Sequence, residues 1–356
     1  MLKIVLYIAL ILFISSDVSA EKAGNLPDFG AIVELYGQTS DADHVEAEEQ
    51  HRVILNSVEL TVSGNVHPKI KGDVIFAMHN HEDSLEWELE EAKFTAAKLI
   101  GGLGTRGGRA LVDIGKLNKV HRHHWPYFTR PAVLQNFIGD HGITADGIQF
   151  DYILPLPFHL KVSAGTWEIP HVSTDTDGGH THGHSESFSL TSHIAAERLS
   201  AALVLSDYSK IDIGLSYLEG SGSHHDEHKD RVILYGADLD LRLWTAGYKE
   251  ISVQGEFFSI KREVPVKEIE RNGYYIYLGY DPDWRWTGGI RYDNSDNVMI
   301  DNDISESASF IMTYNLKAGS YIRGEYKYDA LPETINSFYL QFIFDIGSKI
   351  HHTCSH

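Results

Sequence analysis

Twenty-one histidines stand in a chain of 356 residues, and they cluster. One group is His121, His123 and His124, just ahead of Trp125. A second, His171, Asp175, Asp177, His180, His182 and His184, runs through a stretch broken by Gly and Thr. A third is His224, His225 and His228 around Asp226 and Glu227, and the chain ends on His351, His352, Cys354 and His356. Imidazole suits zinc, copper and nickel, and short His-rich tracts are metal-binding in character. In extended chain, residues i and i+2 share a face, so H-x-H turns two ring nitrogens to the same side. Asp175 and Asp177 can add carboxylate oxygen. Zn2+ or a similar divalent transition metal is therefore the expected ligand or permeant ion, and no cofactor is required. The spacings do not match a closed structural zinc site. Weak, exchanging capture fits them better, because a pathway must also release its ion. Isolated histidines such as His67 and His159 read as solvated. For His121 and His123 a competing role is a hydrogen-bond network that fixes their loop.

Other chemistries find little support. A single cysteine excludes a disulfide framework and any CxxC zinc site. With 30 Lys+Arg against 50 Asp+Glu the net charge is -20, which argues against nucleic-acid binding. Neither G-x-S-x-G nor H-E-x-x-H occurs, so an enzyme is not expected.

The elements that carry these histidines begin after an expected export signal at residues 1–20. Lys3 precedes the apolar run Ile4 to Ile14, and Val18-Ser19-Ala20 forms a small-residue cleavage site. Residues 21–356 then form one exported domain. No later apolar run is long enough for a transmembrane helix. The mature chain instead alternates between apolar and polar residues. Phe338, Leu340, Phe342, Phe344 and Ile346 share one face, opposite Tyr339, Gln341, Ile343 and Asp345. Ile233, Tyr235, Leu239, Leu241 and Leu243 face away from Asp238, Asp240 and Arg242, and Val58, Leu60 and Val62 from Glu59, Thr61 and Ser63. Period two marks half-buried strands. Their length, their aromatic ends and the charges of both signs on the second face favour a membrane barrel with a watery lumen over a sandwich.

Sixteen such segments, from 30–37 to 336–346, predict an all-β transmembrane antiparallel barrel of about 16 strands, within 14–18. The weakest are 30–37 and 84–96, where Glu91 and Lys93 break the alternation. Short turns near 65–68, 154–157, 206–208 and 316–318 alternate with longer connections near 38–53, 114–145, 170–187, 220–230, 262–272 and 294–303. Short periplasmic turns and long external loops are the outer-membrane pattern, so the expected location is the bacterial outer membrane, in contact with its lipid. A barrel of this size leaves an aqueous channel unless something fills it. The stretch Glu21 to Arg52 is too short for the plug of a TonB-dependent transporter. The longest connection, 114–145, is expected to fold inward as constricting loops do in general porins.

The segment Arg109 to Gly147 resembles a family of proteobacterial porin-like outer-membrane proteins often labelled zinc-regulated. That family shows G-x-x-N-x-x-H-x-H-x-x-P-F-x-x-R-P-L and then F-x-G-x-E-G-L-x-x-x-G. Gly115, Asn118, His121, His123, Pro126, Arg130, Pro131, Gly139, Gly142 and Gly147 match it. His141 stands where the family has Glu, and Ala132 where it has Leu. The resemblance implies an outer-membrane barrel linked to divalent-metal acquisition.

The leading expectation is a porin-like channel that takes up divalent metal ions, zinc foremost. The alternative is a non-conducting barrel that binds or sequesters metal, or a partner, through its loops. Homo-oligomer formation has no marker in the sequence.

Overall fold

A computed structural model describes residues 27–42, 51–81, 84–139, 141–170, 190, 193–223, 229–245, 249–264, 267–298, 300, 303–317 and 319–347. The expected signal at 1–20 lies outside them. Among the described residues the first eight strands are β1 (Asp28–Ser40), β2 (His51–His67), β3 (Ile70–His81), β4 (Ser84–Ile100), β5 (Leu103–Leu111), β6 (Thr144–Ile153), β7 (His159–Glu168) and β8 (His193–Ser206). The rest are β9 (Ser209–Ser223), β10 (Lys229–Thr245), β11 (Lys249–Val264), β12 (Lys267–Asp281), β13 (Trp286–Asp296), β14 (Ile304–Lys317), β15 (Ser320–Leu331) and β16 (Ile335–Gly347). Each pairs antiparallel with its sequence neighbours, and β1 closes on β16 with Val33 opposite Phe344. Closure leaves no unpaired edge, which a sheet in lipid cannot tolerate.

All sixteen expected segments are strands of one closed barrel. Two connections are shorter than their sequences suggest. β9 and β10 reach Ser223 and Lys229, and β11 and β12 reach Val264 and Lys267, so most of 262–272 is ladder. There Arg262 pairs with Ile269 and Glu263 with Glu268. With charge on both faces the period-two signal vanishes, but the backbone hydrogen bonds continue.

The outer face carries Phe150, Leu215, Ile276, Ile290, Phe310 and Ile346, each more than one-third exposed. Apolar cover on this scale has to meet lipid rather than water. Aromatic pairs mark both ends of the band, Trp286 with Tyr314 near the short turns and Tyr217 with Tyr235 toward the long connections.

The chain between Leu111 and Thr144 packs against the inner wall of the barrel. It carries a 3-10 turn, Arg122–His124, and one short helix, α1 (Ala132–Ile138). Pro131 precedes α1, its carbonyl accepting the Leu134 and Gln135 N–H groups at 3.0 and 3.1 Å, and Gly139, at φ +87°, ends it. Val112, Ile114, Tyr127, Leu134 and Phe137 pack on Trp167, Leu234, Phe258 and Tyr275 of the wall. An apolar core thus occupies part of the lumen, and every strand has at least one buried inward-facing side chain.

Buried loop backbone must find partners. Two wall glutamates provide them. Glu256 accepts the N–H groups of Lys116 (2.7 Å) and Leu117 (3.2 Å). Glu325 accepts those of Phe128 (2.6 Å) and Thr129 (3.1 Å), and also the Thr129 hydroxyl. Arg291 donates to the Thr129 carbonyl (2.7 Å) and lies 4.3 Å from the Tyr127 ring centre. Arg323 donates to the Trp125 carbonyl and Tyr321 to that of His123, both at 2.7 Å. Within the loop, Asn118 donates to the Val112 and Ile143 carbonyls and accepts the Ile143 N–H, tying its two ends together.

Glu325→Ala removes the acceptor for two buried N–H groups and leaves Arg291 with fewer counter-charges. The expected cost to loop docking is about 3–5 kcal/mol, as for breaking a buried pair. Trypsin should then cut after Lys119 or Arg122 in folded barrels whose wild type resists it. Equal resistance would contradict this anchoring.

Candidate functional site

Hydrogen bonds hold the loop to the wall from β9 to β15. Toward β1–β4 a cavity of about 120 Å³ remains between loop and wall. Glu34, Asn56, Ser57, Glu59, His79, Glu88 and Glu90 line it from the wall, and Asn118, His121, Arg122, Arg130 and His141 from the loop.

Local irregularities of the strands aim these groups. Opposite Ile75 and Phe76 the register of β4 slips by one: Glu91 pairs with Ile75 and Leu89 with Phe76. Glu90 is the extra residue of a β-bulge, so consecutive glutamates both reach the lumen. A second slip, between Glu34 and Leu35, leaves Asn56 of β2 unpaired beside Ser57. Gly142, at φ +79°, lets the loop return past Asn118: a Cβ there would meet the Asn118 Oδ1 at 2.6 Å.

His121 lies in the centre. Its Nδ1 is 3.3 Å from Glu90 Oε2 and 3.9 Å from Glu59 Oε2, and its Nε2 is 3.5 Å from Glu91 Oε2. The buried His123 places Nδ1 3.1 Å from Glu59 Oε1. His79 bonds Glu90 Oε1 through Nε2 at 3.0 Å, with the His141 ring 5.7 Å away. Glu91 is further held by Lys93 at 2.5 Å and by the Leu111 N–H at 3.2 Å. Burial alone would depress the His121 imidazole, but the Glu90, Glu91 and Glu59 carboxylates outweigh it and hold its pKa well above the ordinary value. Across the lumen, cations pair with carboxylates of the wall and the loop. Arg198 forks onto Asp238 at 2.7 and 2.9 Å, while Lys119 and Lys161 each stand 3.5 Å from Asp113.

Of the sequence-expected metal residues, His121 and His123 come together at this site, with ring centres 5.7 Å apart. His124 follows in the turn but is exposed, its ring 4.2 Å from that of His123. His171, Asp175, Asp177, His180, His182, His184, His224, His225 and His228 lie outside the described residues. The carboxylates Glu59, Glu90 and Glu91 and the imidazole of His79 were not among the expected ligands. Glu59, Glu90 and His121 each offer a ligand atom within 4.8 Å of the others.

No known family profile matches the sequence. An Aquifex aeolicus (strain VF5) protein, described only as uncharacterized, is 26% identical over 358 residues, covering 89% of this chain and 73% of that one. Among solved structures, the anion-selective porin from Comamonas acidovorans superposes with TM-score 0.62 at 12% identity, covering 90% of this chain and 100% of its own. The outer-membrane channel DcaP of Acinetobacter baumannii gives 0.60 at 9% identity, covering 92% and 99%. The trimer form of Vibrio cholerae OmpT, an outer membrane protein, gives 0.58 at 9% identity, covering 90% and 99%. The fold is that of outer-membrane porins. Identities this low carry the fold and leave substrate to the lining of this chain.

A raised His121 pKa has a pH consequence. The imidazolium–carboxylate contact stabilises the docked loop fully below the unfolded pKa of ~6.5. It is lost as pH rises through the higher folded value. In 15N-histidine spectra of the folded barrel, His121 should stay protonated above the range of exposed histidines, and Glu90→Gln should lower its midpoint. A midpoint near that of exposed histidines, unmoved by Glu90→Gln, would contradict the assigned electrostatics.

Proposed function

We propose that this protein is an outer-membrane channel through which divalent metal ions, zinc foremost, enter the periplasm. The single observation carrying this reading is the small cavity between loop and wall, lined by Glu34, Glu59, Glu88 and Glu90 with His79 and His121. Clustered carboxylate and imidazole in a cavity of about 120 Å³ suit a partly dehydrated ion. Carboxylates at such a constriction attract cations, here with Arg122 and Arg130 of the loop also on the lining. Imidazole beside carboxylate selects borderline transition metals over magnesium or calcium, which prefer oxygen alone. In this reading the histidines near 170–184 and 224–228 collect ions outside and His121 and His123 pass them inward. The barrel sits in outer-membrane lipid after export by its N-terminal signal. Self-association is part of the proposal, by analogy with the trimer form of OmpT.

A second reading rests on the packed lumen. With an apolar core between loop and wall and buried lumenal groups on every strand, the barrel would be sealed and its loops would bind or sequester metal.

Single-channel recording of residues 21–356 in planar bilayers separates the two. The channel reading predicts steady openings that micromolar Zn2+ blocks or modulates, with the zinc response lost in His121→Ala/His123→Ala. Openings indifferent to zinc would leave a general porin, and no openings would favour the sealed barrel.

A further inference from the structure

We propose that Glu59, Glu90 and His121 form a defined three-ligand site for one divalent transition-metal ion, which bridges the inward loop to β2 and β4. The inference rests on the divalent-ion reading above and names the point in the cavity where the ion stops.

Three observations converge. One ligand atom from each residue lies within 4.8 Å of the other two. Tetrahedral zinc with bonds of ~2.0–2.2 Å needs its ligands roughly 3.3–3.5 Å apart, a change that side-chain rotation can supply. Glu59 Oε2 is buried yet accepts no hydrogen bond among the described residues, and Glu90 Oε2 meets His121 Nδ1 at 3.3 Å without forming one. Glu59 is only 7% exposed, and its Oε2 points toward Glu90 and His121. A metal ion binding here displaces the proton of His121 and takes over the balancing of these carboxylates. The neighbours, finally, already orient the ligands: His123 holds Glu59 Oε1 and His79 holds Glu90 Oε1, leaving the Oε2 atom of each turned to the same space. Outer-shell partners of this kind tune metal sites.

Three protein ligands leave a fourth position to water, as in zinc sites that exchange ligands rather than structural ones. The bond to His121 comes from the loop and the other two from the wall. Occupancy therefore fastens the loop on the side of the lumen where it is held by ionisable side chains rather than by backbone hydrogen bonds.

The test is an anomalous difference map at the zinc edge on crystals of the full barrel soaked in zinc chloride, with zinc calorimetry of the same protein in detergent. A peak bonded to Glu59, Glu90 and His121 is expected. Glu90→Gln keeps the shape but should abolish this peak and weaken one zinc equivalent at least 10-fold, the scale on which even outer-shell changes act. His124→Ala should leave both unchanged. Zinc found only elsewhere, or an unaltered peak and affinity in Glu90→Gln, would overturn the site. Conductance reports separately: a peak here in a barrel that never opens keeps the site and sinks the channel, while zinc-sensitive openings without the peak do the reverse.

Discussion

A loop folded into a β-barrel takes its backbone polar groups away from bulk water, and each must be answered by the wall. Glu256 and Glu325 do this on the far side, each accepting two consecutive backbone N–H groups, while Arg291, Arg323 and Tyr321 serve loop carbonyls. Charged acceptors make such bonds stronger than neutral ones. With polar demand met, Val112, Tyr127, Leu134 and Phe137 can bury against wall aromatics and hold the loop by packing. The position of His121 follows from this docking, because its own contacts are side chains of β2 and β4 rather than a backbone ladder.

The result is an asymmetric lumen. Near β9–β15 the space is filled by side chains and hydrogen bonds. Near β1–β4 it is left to carboxylate and imidazole, and a bulge in β4 doubles the carboxylates by turning Glu90 and Glu91 inward together. Toward β7–β10, Arg198 and Lys161 of the wall and Lys119 of the loop gather around Asp113 and Asp238. The same fold serves an anion-selective porin in Comamonas acidovorans, so the sign of the permeant ion belongs to the lining and not to the barrel.

Much of this was legible in the sequence, for identifiable reasons. Lipid on one side and a wet lumen on the other impose period two, and runs such as Phe338 to Ile346 declare their strand without help from the rest of the chain. Periodicity failed where both faces meet water: Arg262–Val264 and Lys267–Arg271 are ladder but look like loop. It also stopped at the carboxylates. Glu59 is one polar residue among many on alternating faces, and nothing local says that β2 brings it to His121. Glu91 and Lys93 did signal a break in β4's alternation. That break is the phase change of a bulge, and it marks the site. The motif around His121 was visible, but most of it serves folding: Asn118, Gly142, Pro131 and Gly139 shape the loop that carries the imidazoles.

The central claim is that ions cross this barrel beside β1–β4, under the control of its carboxylates. Reversal potential in a KCl gradient across a bilayer holding the wild-type protein tests it most directly. The account predicts a potential of the sign set by cation permeation. A potential of the anion sign would contradict it and place the conducting path elsewhere.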